Sequence, residues 1–166
     1  MIISEEKFNE VYSNTNKLLY QIIYSYVRNK DDSLDILQDV YFKYLEKKPN
    51  INNLDEIKFW LIRVAINKSI NYLRYKKLHN VIYSDEIINS YQNKNNKNEL
   101  EYIYELICTM DSKYKDVLIL YYYESMTTAQ IAKALKKKDS TIRMRLLKAR
   151  EILKEKVEKY NDGNKN

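Results

Sequence analysis

A chain of 166 residues with 29 Lys and Arg, 23 Asp and Glu, and one each of Gly, Pro, Cys and His has room for one or two small domains and a net charge of +6. So few glycines and prolines leave hairpins and sandwich loops without their turn residues, which makes the expected fold class all-α. They also exclude a glycine-rich phosphate loop, and Cys108 with His79 supplies neither a zinc site nor a nucleophile with its base, so no catalytic residue, metal or cofactor is expected.

In chain order, Phe8, Val11, Tyr12, Leu18, Leu19, Ile22, Ile23 and Tyr26 mark a long first helix ending near Arg28. Asp31 and Asp32 are placed to cap a second, which buries Leu34, Leu37, Val40, Tyr41, Tyr44 and Leu45 and stops at Pro49. A third helix runs from about Asp55 to Lys77 with Phe59, Trp60, Ile66, Ile70 and Leu73 inward. Residues 80–98 are polar, Asn-rich and aperiodic, and read as a flexible linker between two small helical domains. The second domain opens with a helix carrying Leu100, Ile103, Tyr104 and Ile107, and continues with one carrying Tyr114, Val117, Leu118 and Tyr121. Cys108 shares a face with Tyr104 and Ile107 and reads as a small core residue. The longest apolar run, Val117–Tyr123, is far short of the roughly 20 residues of a membrane span. With no signal peptide, a cytoplasmic protein is expected.

Charge is sorted along the first domain. From Asp31 to Glu46 five acids stand against the single base Lys43, whereas from Lys58 to Lys77 there are six bases and no acid. The basic helix interleaves Phe59, Trp60, Tyr72 and Tyr75, combining phosphate-binding charge with stacking surface.

The segment TTAQIAKALKKKDSTIRMRLLKAREILK (127–154) carries the strongest signal. Thr127 or Thr128 caps a helix burying Ile131, Ala132 and Leu135, and Lys136–Lys138 turn the chain. Asp139 and Ser140 then cap a helix whose Ile142, Leu146, Ala149 and Leu153 share one face. Ser140, Thr141, Met144, Leu147 and Lys148 point away from that face, with Arg143, Arg145 and Arg150 on its flanks. Eight Lys or Arg against one acid between Lys133 and Arg150 give this helix-turn-helix the charge and size to enter a major groove. An ordinary helical hairpin with a solvated basic face would share the pattern. Two separated basic helices point to one DNA molecule contacted at two places.

Three ordered stretches resemble a known family. DSLDILQDVYFKYLEKKP, KFWLIRVAINKSINYLRYKK, and MDSKYKDVLILYYYESMTTAQIAKAL with DSTIRMRLLKAREIL are similar to regions 2 and 4 of extracytoplasmic-function sigma factors of the sigma-70 family. The likeness covers about residues 5–158. Asp111, Gln130 and Met144 stand where that family commonly has Pro, Glu and a small polar residue, the last bearing on −35 preference.

The resemblance implies residues 1–79 as region 2, 80–98 as linker, 99–160 as region 4 and 161–166 as a disordered tail. It implies an alternative sigma factor whose partners are core RNA polymerase (β′ clamp helices and β flap), promoter DNA and an anti-sigma factor such as these proteins commonly have. Asp35, Gln38 and Asp39 would meet the clamp helices. Lys58, Arg63, Lys68 and Arg74 would serve the −10 element. Asn50, Asn52, Asn53 and Asn67 would hold one flipped base of it, or else Asn67 would brace the loop. Ser140, Thr141, Arg143, Met144, Arg145 and Lys148 would read the −35 duplex. Two alternatives remain open at this point: a stand-alone helix-turn-helix transcription regulator, and a helical adaptor whose basic faces bind an acidic protein.

Overall fold

Ser4 opens the first helix by accepting the backbone N–H of Lys7, and the helix closes at Arg28, which takes a left-handed conformation. In the computed structural model, which describes residues 2–79, 98–163 and 165, all regular structure is helical. The first unit comprises α1 (Glu5–Val27), α2 (Lys30–Lys47) and α3 (Leu54–Leu78). The second comprises α4 (Glu99–Cys108), α5 (Ser112–Leu118), α6 (Thr128–Leu135) and α7 (Asp139–Gly163). A π-helical turn, Ile119–Tyr123, extends α5. No helix among the described residues is long and apolar enough to cross a membrane.

Local chemistry fixes the boundaries. Asn29, not Asp31 or Asp32, caps α2, accepting the N–H of Asp32; the two aspartates lie in the first turn, where a carboxylate suits the positive end of the helix. Asn53 caps α3 by accepting from the N–H groups of Asp55 and Glu56. Thr127 and Gln130 form a reciprocal capping box at α6. Asp139 stands in the first turn of α7 rather than ahead of it, and pairs with Arg143 at 3.3 Å.

In the first unit α1 packs on α2 and α3 through Val11, Leu19, Ile23, Val40, Leu61 and Ile62. In the second, α7 packs on α5 and α6 through Ile142, Leu146 and Ala149. The units also bury surface against each other, with α3 against α6 and α1 against α4 and α5. Within α3 the buried positions are Ile57, Phe59, Leu61, Ile62, Val64, Ala65 and Ser69, so Phe59 points inward as expected, while Trp60, Ile66, Ile70 and Leu73 are half-buried. Leu34 is 44% exposed and Leu100 66%, contrary to the inward places their spacing implies. The expected tail starts too early, because α7 runs on to Gly163 with Tyr160 packed on Tyr102 of α4 at 4.3 Å between ring centroids. The expected linker, apart from the α4 cap Asn98, lies outside the described residues.

Candidate polymerase and nucleic-acid surfaces

On the outer side of α2, Asp35, Gln38 and Asp39 are all exposed. Asp35 and Gln38 line an open cavity of about 490 Å³ together with Leu34, Phe42 and Leu45 of the same helix and Phe8 and Tyr12 of α1. Phe42 is 59% exposed there. Beneath it, the rings of Phe8, Tyr12 and Tyr41 stack and cross at 5.0–6.1 Å, and the Tyr41 hydroxyl lies 2.7 Å from Thr15 Oγ1. Burial pushes the Tyr41 phenol up to about 12. Asp39 turns toward α3, 3.8 Å from Lys68, and Asp32 accepts from the Tyr72 hydroxyl and lies 3.8 Å from Lys76. The surface is an apolar trough with a partly neutralised acidic margin. Leu34 and Phe42 belong to it, and spacing alone could not assign them.

The basic helix α3 divides its charges. Asn50, Asn52, Asn67 and Arg74 are exposed, and Lys68 is half-buried. The Asn53 side-chain oxygen is committed to the helix cap. Lys58 and Arg63 turn toward the second unit instead. Lys58 pairs with Glu124, and Arg63 donates to the carbonyls of Ala134 (2.8 Å) and Lys133 (3.4 Å), closing the last turn of α6. Partial burial lowers the Arg63 pKa. Near the end of α3, Tyr75 stacks on His79 with centroids 4.1 Å apart.

The helix-turn-helix has the expected shape. Lys136 takes a left-handed conformation at φ 53° and ends α6, and α7 begins three residues later. Ser140, Arg143, Met144 and Lys148 are exposed; Thr141 and Arg145 are half-buried. Lys148 lies 3.3 Å from Glu151, and Arg150 donates to the Tyr122 hydroxyl over the Tyr121 and Tyr122 rings.

The seam between the units holds a cluster that the sequence did not announce. The Tyr26 hydroxyl donates to Asp116 Oδ2 at 2.7 Å, and Lys115 Nζ donates to the Ser25 carbonyl at 2.9 Å while lying 3.8 Å from the Tyr26 ring centroid. Lys115 and Asp116 are both buried, and Asp116 Oδ1 has no hydrogen-bond partner. Burial pushes the Asp116 carboxyl up to about 6 against the opposing Tyr26 hydrogen bond and the charges of Lys115 and Arg145. Burial also raises Tyr26, with Asp116 adding to it, and lowers Lys115. Arg28 pairs with Glu105, and the Tyr104 hydroxyl donates to the Gln21 carbonyl at 2.6 Å. Cys108, half-buried beside this seam, is pushed up to about 11 by burial and is a poor nucleophile. Among the described residues no group of three His, Cys, Asp or Glu is placed to hold a metal ion.

Two family models match the chain: Sigma-70 region 2 over residues 11–78 and Sigma-70 region 4 over residues 100–153. RNA polymerase sigma factor SigV of Bacillus subtilis is 27% identical over 135 residues, covering 81% of each chain. The ECF RNA polymerase sigma factor SigM of the same organism is 25% identical, covering 88% of this chain and 92% of its own. Among solved structures, CnrH in complex with the cytosolic domain of CnrY superposes with a TM-score of 0.69 at 17% identity, covering 93% of this chain and 90% of that one. The sigma factor RpoE in complex with the anti-sigma factor NepR from Bartonella quintana gives 0.69 at 16%, covering 92% and 98%.

Proposed function

Because the chain belongs to the sigma-70 family, in its extracytoplasmic-function group, we propose that the trough on α2 is where this alternative sigma factor seats the β′ clamp helices of core RNA polymerase. The observation that carries the assignment is the exposed Phe42 and Leu34 lining one cavity with Asp35 and Gln38, an apolar anchor with an acid and an amide on its margin. Apolar contact supplies the affinity, and the acids select and steer a basic partner. As a sigma factor the protein directs polymerase to promoters and is a non-enzymatic initiation factor. Its place of work is that of its polymerase, the cytoplasm.

In this reading α3 serves the −10 element and α7 the −35 element. Arg74 and the amides of Asn50, Asn52 and Asn67 are open to DNA from the start, Lys68 is half-buried beside Asp39, and Asn53 holds the helix cap. Lys58 and Arg63 reach DNA only after the second unit lets go of them, so promoter engagement and separation of the units are coupled. The CnrH and RpoE structures hold partner proteins, the cytosolic domain of CnrY and the anti-sigma factor NepR. A comparable inhibitory partner for this chain is part of the proposal.

Retention on immobilised core polymerase tests the α2 assignment. Asp35→Lys/Asp39→Lys should weaken binding by about 1–3 kcal/mol where the charges are desolvated. Phe42→Ala should do so by a similar amount through lost apolar contact. Undiminished retention of both variants, with native circular dichroism, would show that polymerase does not dock on the α2 trough.

A further inference from the structure

On α7 the direction opposite the buried Ile142, Leu146 and Ala149 is occupied by Ser140, Met144, Leu147 and, one turn further along, Glu151, not by the arginines. Met144 is 66% exposed and Leu147 53%, which makes them the two large apolar side chains left open on this helix. They stand one turn apart in the middle of the face, with Arg143 on one side and Lys148 on the other, both exposed. Single exposed apolar residues need no explanation. An apolar ridge between two basic flanks, on the outermost line of a helix-turn-helix second helix, is a different pattern.

When such a helix lies in a major groove, its flanks meet the phosphate strands and its outermost line meets the base edges. Met and Leu offer no hydrogen-bond donor to guanine and no acceptor to cytosine. The apolar feature on the floor of the groove is the thymine 5-methyl group. A three-residue step along a helix is about 4.5 Å, close to the roughly 3.4 Å between successive bases of one strand, so the two side chains can address neighbouring base pairs. We infer that Met144 and Leu147 read thymine methyl groups at adjacent positions of the −35 element and make an A·T pair there a condition of tight binding. This inference rests on the assignment of α7 to the −35 duplex.

The test uses holoenzyme assembled from this chain and core polymerase, with duplexes that it enriches from a library randomised across the −35 position. Each thymine in the enriched site is replaced in turn by deoxyuridine, which removes the methyl and leaves every hydrogen-bonding group in place. One or two adjacent replacements should weaken binding about fourfold each, the value of one buried methyl. Reinstating a methyl at the same position as 5-methylcytosine, with guanine opposite, should recover part of the binding lost by an unmethylated cytosine. Met144→Ala and Leu147→Ala should bind the thymine site several-fold more weakly and respond no further to deoxyuridine at the position each reads. Equal binding of thymine and deoxyuridine sites, with the −35 region still protected, overturns methyl readout but leaves α7 on DNA. Deoxyuridine penalties unchanged in Met144→Ala/Leu147→Ala also overturn it, as does loss of core binding by that variant with no change on DNA, which would assign the ridge to a protein. Failure of the underlying assignment looks different: no −35 protection at all, and no loss of DNA binding in Arg143→Ala/Lys148→Ala.

Discussion

Replacing Asp116 by Asn should stabilise this protein at neutral pH, although it removes a charge from a hydrogen-bonded, buried site. The Asp116 carboxyl is enclosed between the two units, accepts one bond from Tyr26, and has its pKa raised from 3.8 to about 6. A carboxyl with a folded pKa above its unfolded value binds its proton more tightly in the folded state. Its stabilising contribution is therefore complete below about pH 4 and is lost as pH rises through about 6. A shift of about two units corresponds to about 3 kcal/mol between pH 4 and pH 7.5. The asparagine side chain carries no charge to desolvate, and its carbonyl oxygen can still accept from Tyr26. The gain is reduced because Lys115, whose ammonium burial already disfavours, loses the counter-charge that supports it. A net stabilisation of about 1–2 kcal/mol at pH 7.5 remains, or about 2–8 °C in Tm for a chain of this size. Urea unfolding followed by far-UV circular dichroism from pH 4.5 to 8 measures it. The two proteins should converge near pH 4.5 and separate as pH rises, with the Asp116→Asn variant the more stable. Parallel profiles with that variant weaker throughout would refute the reasoning and make Asp116 a well-paired carboxylate.

Three other expectations follow from single contacts. Thr127→Ala removes one half of the capping box at α6 and should cost about 1 kcal/mol in thermal unfolding, with core binding unchanged. Asn53→Ala should cost a similar amount and leave −10 base preference as it was, because its oxygen serves α3, whereas Asn67→Ala, at an exposed position, should change which −10 base is preferred in a promoter-mutation series. Arg143→Ala and Lys148→Ala should each flatten the dependence of log affinity on log salt by about one unit if they bind phosphate, as fluorescence anisotropy on −35 duplexes would measure.

The helices and the helix-turn-helix were legible because each needs only near neighbours in sequence. Ile142, Leu146 and Ala149 at helical spacing fixed the buried face of α7, and the threonine before α6 marked its start. What escaped depends on residues far apart. The pairs Tyr26–Asp116, Ser25–Lys115, Lys58–Glu124 and Arg63–Ala134 join positions 66 to 90 apart, and helical period says nothing about which distant surface covers a face. Nothing in the local pattern therefore marks Lys115 and Asp116 as buried, and Lys58 and Arg63, expected to serve the −10 element, are held by the second unit. Leu34 illustrates the converse. Its spacing puts it with the core, but it stands 44% exposed in the open trough that it lines with Phe8 and Tyr12 of α1. The preference for Asn29 over Asp31 as the α2 cap was within reach, since Asn is as good a cap as Asp and stands three residues before Asp32.

Run-off transcription with purified bacterial core polymerase and fragments of host genomic DNA tests the central claim most directly. Discrete transcripts should appear only when this chain is added, and should start downstream of sites sharing a −35 and a −10 sequence. They should fall away for Asp35→Lys/Asp39→Lys even though that protein keeps its fold. Specific binding of the chain alone to duplex DNA, with no new transcript in the presence of core polymerase and no retention on it, would contradict the claim.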